Sequence, residues 1–264
     1  MPLASDEGGN GFHAPSIADF FPAPVLWEGT IFEFNRIQLI RIVAAVAITL
    51  LFVLVARRAR LVPGRVQGVV EMGLDFVRVQ IGEQILGKER ARQYVPLLTT
   101  MFFAILAFNL TSVVPGFNMA GTALMGLPLL LAVWAYVRYL WAGVSEHGVG
   151  GFLKMSLFPP GVPWFMYVLL TPIEFLTVFI IRPATLAIRL MANMVAGHLM
   201  LVLCFSATQY FLFDAEGLMK SFGALTFVAG LAMTLFEMFV GALQAYIFVV
   251  LTAVYISLSV EHEH

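Results

Sequence analysis

Apolar residues dominate this chain in runs long enough to cross a lipid bilayer. The first run extends from Ile37 to Ala56, which meets the roughly 20 residues that a helix needs to span a hydrocarbon core about 30 Å thick. Two further spans are predicted from Tyr94 to Val114 and from Thr122 to Trp141, with a turn at Pro115-Gly116 between them. These two spans are expected to form an antiparallel hairpin.

The segment from Pro63 to Gly87 has a different pattern, in which apolar residues recur at helical spacing and charged residues fall between them. The apolar positions are Val66, Val69, Val70, Gly73, Leu74, Val77 and Ile81, and the charged positions are Arg65, Glu71, Asp75, Arg78 and Glu83. This pattern predicts an amphipathic helix that lies on the membrane surface or packs on a partner.

Two long apolar runs form the last part of the chain. Glycines and prolines between Gly143 and Pro163 predict a loop, and the apolar runs that follow extend from Trp164 to Phe213 and from Leu218 to Val260. A helix of about 50 residues is about 75 Å long, more than twice the hydrocarbon thickness, so such a run must turn back or tilt. Steep tilting fits both runs.

The pattern therefore predicts an all-α integral membrane protein. Its elements are an N-terminal transmembrane helix, an amphipathic surface helix, a transmembrane hairpin and two long, strongly tilted C-terminal helices. Composition agrees, because 60% of the residues are hydrophobic and 12% are charged, about half the charged fraction of an ordinary soluble domain. A water-soluble fold is excluded.

The distribution of charge predicts the orientation. Eight of the fifteen basic residues lie between Arg57 and Arg92, and by the positive-inside rule this segment is cytoplasmic. Residues 1–35 contain no lysine or arginine and lack the features of a signal peptide, so they are predicted to be a retained extracytoplasmic segment. Residues 36–264 are predicted to form a single membrane domain of about five to six helices, with a cytoplasmic C-terminus.

Arg189 is the most informative polar position, because it lies deep inside an apolar run. A guanidinium at the middle of a transmembrane helix costs about 2.5 to 3.5 kcal/mol on insertion scales, and arginine keeps its proton in proteins. On a helix, Thr185, Arg189, Asn193 and Ala196 lie along one stripe, and Ala192 lies beside it. A small-residue face with one positive charge suits the close passage of another helix.

Further polar residues lie in the same two C-terminal runs. His198 is nine residues after Arg189 and therefore points roughly 180° away from it. The last run carries a second stripe at helical spacing, composed of Glu237, Gly241, Gln244, Phe248 and Tyr255. Glu237 and His198 are a natural pair for a proton path, and Gln244 is able to hydrogen-bond the guanidinium or its counter-ion.

Each of these positions also has a structural interpretation. Arg189 could be an interfacial arginine or part of a fixed salt bridge with Glu237, and His198 could be a satisfied core histidine. A secondary transporter that uses Arg189 to bind an anionic substrate and a non-catalytic membrane scaffold are the alternative functions. Motifs of hydrolytic and nucleotide chemistry, such as HExxH and GxSxG, do not occur. We expect no cofactor, metal ion or nucleic acid as a ligand.

Three separated segments, in the same order, resemble the subunit a family of F-type ATP synthases. RPATLAIRLMANMVAGH, residues 182–198, resembles the family signature. PLLTTMFFAILAFNLTSVVPG, residues 96–116, resembles the family's second span, and ALQAYIFVVLTAVYISLSVEHEH, residues 242–264, resembles its last helix.

The resemblance implies a non-catalytic, proton-translocating stator subunit beside a rotating ring of c subunits, in the plasma membrane of a bacterium. Its partners would be that ring, b-type peripheral-stalk subunits and the other ATP synthase subunits, which carry out the ATP chemistry. Arg189 matches the family's essential arginine, which separates two half-channels and deprotonates the ring carboxylate. The proton path would include His198, Glu237, Gln244, Asn193 and Glu174, while Thr185, Ala192 and Ala196 would face the ring.

The chain departs from the usual family pattern at several of these positions. Glu174 matches a further channel carboxylate, but one extra residue separates it from the motif that begins at Pro183. Thr185 replaces a common serine, and Ser112 stands where some members have an aspartate. Members of the family have an acid and a histidine in either order at the positions of His198 and Glu237.

Overall fold

The computed structural model describes residues 35–114, 119–158 and 163–260, and this part of the chain is helical and contains no β-strand. Its α-helices are α1 (Arg36–Arg57), α2 (Arg65–Asp75), α3 (Gln84–Leu86), α4 (Lys88–Leu110), α5 (Gly126–Leu157), α6 (Tyr167–Leu176), α7 (Arg182–Gln209) and α8 (Lys220–Val260). The predicted all-α fold is confirmed. Two predictions lie outside the described residues. One is the extracytoplasmic segment 1–35, of which only Asn35 is described, and the other is the turn at Pro115-Gly116.

Five helical segments of the described chain are long and apolar enough to cross a membrane. These segments are Arg36–Arg57, Lys88–Leu110, Gly126–Leu157, Trp164–Asp214 and Gly217–Val260. The last two contain 51 and 44 residues, or about 77 and 66 Å of helix at 1.5 Å per residue. Because neither turns back in a loop, only a strong tilt or bend keeps them within a hydrocarbon core of about 30 Å.

The loop predicted between Gly143 and Pro163 is wrong for most of its length. Helix α5 continues to Leu157 and is broken only at Gly148, where φ is 72°. Glycine adopts this conformation without steric cost, so the glycine-rich sequence kinks the helix instead of unwinding it. A Cβ atom at Gly143 would overlap the ring of Phe152, and this close contact holds the two halves of α5 together.

The predicted amphipathic helix is present, and its buried face packs inside the chain. Helix α2, a π-helical segment (Phe76–Glu83) and α3 follow one another, and the π-helical segment lies against α4. Val77 and Ile81 are fully buried in the main core, whereas Val66 and Val69 are exposed. The C-terminal half of the apolar face thus packs on α4 of the same chain, which is neither of the two predicted positions.

Helices α4, α5, α7 and α8 share the main core. Its fully buried side chains include Leu98 and Ile105 of α4, Ala132 of α5, Leu190 of α7 and Phe248 of α8. Near the basic segment, Arg90 donates a hydrogen bond from Nη1 to the Val260 carbonyl at 2.9 Å, and its Nη2 lies 3.4 Å from Oε1 of Glu146. The start of α4 is thereby joined to the end of α8 and to α5 just before its kink at Gly148.

Arg41 attaches α1 to the segment between α4 and α5. Its Nε donates a hydrogen bond to the Gly121 carbonyl at 2.7 Å, and its Nη2 donates to the Leu124 carbonyl at 3.1 Å. Helix α1 has few buried residues of its own, namely Ile37, Ile40 and Ala44. Two charge-assisted hydrogen bonds are therefore a large part of what fixes this helix to the bundle.

Replacing Arg41 with leucine should lower the thermal stability of the protein. The substitution leaves two carbonyls without their donor, and hydrogen bonds to charged groups contribute about 1.5 to 3 kcal/mol each. The measurement is the unfolding temperature of the purified protein in detergent. Arg57→Leu, at the exposed end of the same helix, is the matched control. An equal unfolding temperature for Arg41→Leu and the native chain would disprove this role.

Candidate functional site

The stripe predicted on α7 lies on the surface of the described chain. Thr185, Arg189, Ala192, Asn193 and Ala196 are all exposed. The opposite face of α7 is buried and consists of Leu186, Ala187, Leu190, Met194 and His198. No carboxylate of the described residues forms an ion pair with Arg189, so an intrachain salt bridge with Glu237 is not formed. The stripe presents an uncompensated positive charge between small side chains.

His198 and Glu237 face each other on the buried side of α7. Nδ1 of His198 lies 3.9 Å from Oε1 of Glu237, and the two residues are only 5% and 2% exposed. This separation is longer than a hydrogen bond, but one water molecule or a small side-chain rotation would allow proton transfer. Gly197 lies against the Glu237 side chain, where a Cβ atom would be 3.5 Å from Cγ.

A cavity of about 580 Å³ opens at the surface of the chain and is lined by His198 of this pair. It lies between the end of α4, α7 and α8, and its polar lining residues are Ser112, His198, Ser206, Gln209 and Thr234. His198, Ser206 and Gln209 follow at spacings of eight and three residues, so they lie on one face of α7. Gln209 is exposed and His198 is buried, so the lining runs from the surface into the interior.

Gln244 contacts the stripe through Asn193. Nδ2 of Asn193 donates a hydrogen bond to Oε1 of Gln244 at 2.8 Å, and Gln244 is only 1% exposed. Its Nε2 is buried and has no hydrogen-bond partner among the described residues. Because this group is a donor, it suits a carboxylate counter-ion better than the guanidinium of Arg189.

Asn109 and Ser112 connect the end of α4 to the same region. Asn109 donates from Nδ2 to the Gly241 carbonyl at 3.0 Å and accepts a hydrogen bond from Thr122 at 2.7 Å. Ser112 lies beside the Glu237 carboxylate and donates to the Asn109 carbonyl at 2.9 Å. Asn109 therefore has a packing role, while Ser112 also lines the cavity.

Glu174 lies apart from the His198–Glu237 pair. It is half-buried on α6, and its charge acts on Tyr139, which also interacts with Arg182 and Ser156. A π-helical segment, Thr177–Ile181, separates α6 from α7. Because a π-helical turn contains about one residue more than an α-helical turn, this segment shifts the helical register between Glu174 and Arg189.

Three lining residues of the cavity were missed by sequence reasoning. Ser206 and Gln209 are ordinary polar residues near the end of α7, and Thr234 lies inside α8. Nothing in their type points to an ion path. The spacing of Ser206 and Gln209 from His198 on one helical face was the available signal. Thr234 precedes Glu237 by three residues and so lies on the same side of α8.

The fold and the site define a multi-pass helical membrane protein with a polar cavity on one side of α7 and an exposed, positively charged face on the other. A family model described as "ATP synthase A chain" matches residues 38–257. The chain is 48% identical to ATP synthase subunit a of Rhodococcus erythropolis over 97% of its own length and 92% of the relative. It is 39% identical to ATP synthase subunit a of Parafrankia sp. over 96% of its own length and 85% of the relative.

The chain belongs to the ATP synthase A chain family, the subunit a family of the membrane sector of F-type ATP synthases. A third relative, ATP synthase subunit a of Frankia alni, is 36% identical over 100% of the chain and 91% of the relative. The chain is thus a multi-pass plasma-membrane protein that works with other ATP synthase subunits in ion transport and ATP synthesis.

Proposed function

We propose that this chain provides two half-channels for protons beside a rotating ring of c subunits, with Arg189 between them. The observation that carries the proposal is the arrangement around α7. A surface cavity is lined by the buried His198, which faces Glu237, on one side of the helix, and Arg189 lies exposed on the other side.

The outer half-channel follows the cavity. Protons enter beside Gln209, pass the hydroxyl of Ser206 and reach His198 and Glu237. Hydroxyl and amide groups hold water molecules in a cavity of this size, and the imidazole and the carboxylate exchange protons with that water. From this pair the proton moves to a carboxylate on a passing ring subunit.

Arg189 acts on the returning ring carboxylate. A fixed positive charge within about 4 to 6 Å favours the ionised form of a carboxylic acid, so the arginine drives release of the proton toward the second half-channel. Its charge also repels protons and blocks a direct leak between the two paths. Asn193, on the exposed stripe, donates a hydrogen bond to Oε1 of the buried Gln244 and so links the ring-facing surface to the last helix.

The inner half-channel runs along Glu174. This carboxylate is on α6, fifteen residues before Arg189, or about 22 Å along the helix at 1.5 Å per residue. It therefore lies on the side of Arg189 opposite to the outer cavity. A proton that leaves the ring beside Arg189 reaches the cytoplasm past Glu174.

The orientation follows from the basic residues near the end of α1 and the start of α4. By the positive-inside rule they support a cytoplasmic position for this end of the bundle, with the N-terminus outside and the C-terminus inside. The b-type peripheral-stalk subunits hold the chain against the turning ring. A proton that crosses 100 mV releases about 2.3 kcal/mol, so several protons must pass for each ATP made on the other subunits.

A transporter of anionic substrates has less support. Its substrate site would need a cation inside the cavity, and the residues that line the cavity include neither lysine nor arginine. Arg189 lies on the exposed face of α7, away from the cavity.

Cysteine labelling tests the outer half-channel. In a Cys204→Ala background, single cysteines at Ser206, Gln209 and Thr234 should react with a membrane-impermeant thiol reagent added from the outer side, because only a hydrated thiol forms the reactive thiolate. Leu203→Cys is the matched control, since Leu203 is exposed on α7 but does not line the cavity. Equal labelling at Leu203, or labelling only from the cytoplasmic side, would contradict the proposed path.

A further inference from the structure

A second large cavity lies away from the proposed proton path, between α1 and α4. Its volume is about 610 Å³, within the range of about 300 to 1,000 Å³ that is typical of ligand pockets. The lining is almost entirely apolar and includes Ile48, Phe52, Leu74 and Phe103. Both helices are membrane spans, so the cavity lies at the depth of the lipid chains. Its natural occupant is a hydrocarbon chain.

A basic cavity of about 310 Å³ lies next to it, at the start of α4. Three cationic side chains, Arg78, Lys88 and Arg92, and one carboxylate, Glu83, line it. Nε of Arg78 lies 3.1 Å from Oε1 of Glu83, which leaves the other guanidinium donors of Arg78 for a ligand. The cavity has an excess of positive charge and suits an anionic group.

The two cavities share Val95 and Pro96 as lining residues. A cluster of cations at the end of a membrane span thus adjoins an apolar cleft within the span. An anionic headgroup with an attached acyl chain has the same arrangement of charge and apolar surface, and basic pockets between transmembrane helices on the cytoplasmic side bind such lipids.

We propose that this composite site binds an anionic phospholipid of the cytoplasmic leaflet. The phosphate contacts Arg78, Lys88 and Arg92, and an acyl chain fills the cleft between α1 and α4. Helix α1 has only three buried residues of its own, and Arg41 fastens it to the bundle near its N-terminal end. The lipid fills the gap toward the other end of α1 and so supports its packing on α4.

The charge distribution favours a lipid over a transmembrane helix of another subunit. A helix in the cleft would cover the apolar lining, but its apolar surface would offer no anion to Lys88, to Arg92 or to the guanidinium donors of Arg78 that Glu83 does not bind. A phospholipid satisfies both parts with one molecule. The lipid assignment concerns α1 and α4 and does not depend on the proton path.

The test measures the lipids that remain bound to the purified complex. The complex is incorporated into nanodiscs of phosphatidylglycerol and phosphatidylcholine, and the retained lipids are counted by native mass spectrometry after release into detergent. Arg78→Gln with Arg92→Gln should lower the ratio of retained phosphatidylglycerol to phosphatidylcholine at least about tenfold, because each cation near the headgroup contributes to anionic lipid binding. Arg57→Gln with Arg58→Gln is the matched control and should retain the native ratio.

Ala104→Trp provides a variant that leaves the charge unchanged. Ala104 lines the apolar cleft, so the indole should displace the acyl chain and lower phosphatidylglycerol retention although every cation remains. This variant decides the outcome if the double glutamine variant does not assemble. Three results would each overturn the proposal. The first is an equal loss of phosphatidylglycerol in the two glutamine double variants, and the second is native phosphatidylglycerol retention in Ala104→Trp. The third is phosphatidylglycerol that binds the isolated chain but is excluded from the complex. The last result would assign the cleft to a helix of another subunit.

Discussion

Membranes that carry Arg189→Ala are expected to lose ATP-driven proton pumping by at least about a hundredfold. The guanidinium is exposed on the small-residue stripe and forms no ion pair with the described residues, so its charge is available to a ring carboxylate. Two unit charges about 4 Å apart interact by about 4 kcal/mol at an effective dielectric constant of 20, and each 1.4 kcal/mol corresponds to a factor of ten in rate. Acidification of inverted vesicles after addition of ATP measures the effect.

Arg189→Lys should restore pumping only in part. An ammonium group carries the same charge, but it lacks the planar fork of donors and loses its proton more readily in an apolar setting. Thr185→Ala is the control on the same stripe, since Thr185 carries no charge and, among the described residues, its hydroxyl donates to carbonyls of the preceding turn, at Ile181 and Arg182. Native pumping by both arginine variants would rule out the charge barrier and favour a scaffold.

A chain in which His198 and Glu237 exchange places should pump protons much faster than a chain with either single substitution. His198→Glu places two carboxylates where Nδ1 and Oε1 are now 3.9 Å apart, and two carboxylates that share a buried site cannot both ionise. Glu237→His leaves two imidazoles and no acid. Each single variant should pump at most about a tenth of the native rate, a barrier increase of about 1.4 kcal/mol.

The double variant His198→Glu with Glu237→His restores one acid and one imidazole in the same buried space. Recovery should be incomplete, because Ser112 lies beside residue 237 in the native arrangement. The rate of ATP-driven pumping, normalised to the amount of assembled complex, is the measurement. A double variant no better than the two single variants would show that these positions do not act as an exchangeable pair.

The sequence predicted those features that depend on one helix at a time. Run lengths located the membrane spans, and helical spacing put Arg189 and His198 on opposite faces of α7. The structure agrees, since Arg189 is exposed and His198 is buried. The spacing on α8 likewise placed Glu237 and Gln244 on one face, and both are buried. In each case the periodicity of the α-helix fixes the direction of the side chain.

Features that depend on contacts between helices were not predictable from one sequence. The hydrogen bond between Asn193 and Gln244 and the attachment of Arg41 to the Gly121 carbonyl join residues far apart in the chain. The error at Gly143 to Pro163 has a different cause. Glycine permits both an unwound loop and a sharp kink, and the packing of Gly143 on Phe152 selects the kinked helix.

The passive proton leak through membranes stripped of the ATP-hydrolysing sector tests the central claim most directly. Three chains are compared: native, Arg189→Ala, and Arg189→Ala combined with Glu237→Gln. If Arg189 separates two paths and Glu237 lies on the outer one, the single variant should leak more than the native chain. The double variant should return toward the native leak. A leak of equal size in both variants, or no leak in either, would contradict the account.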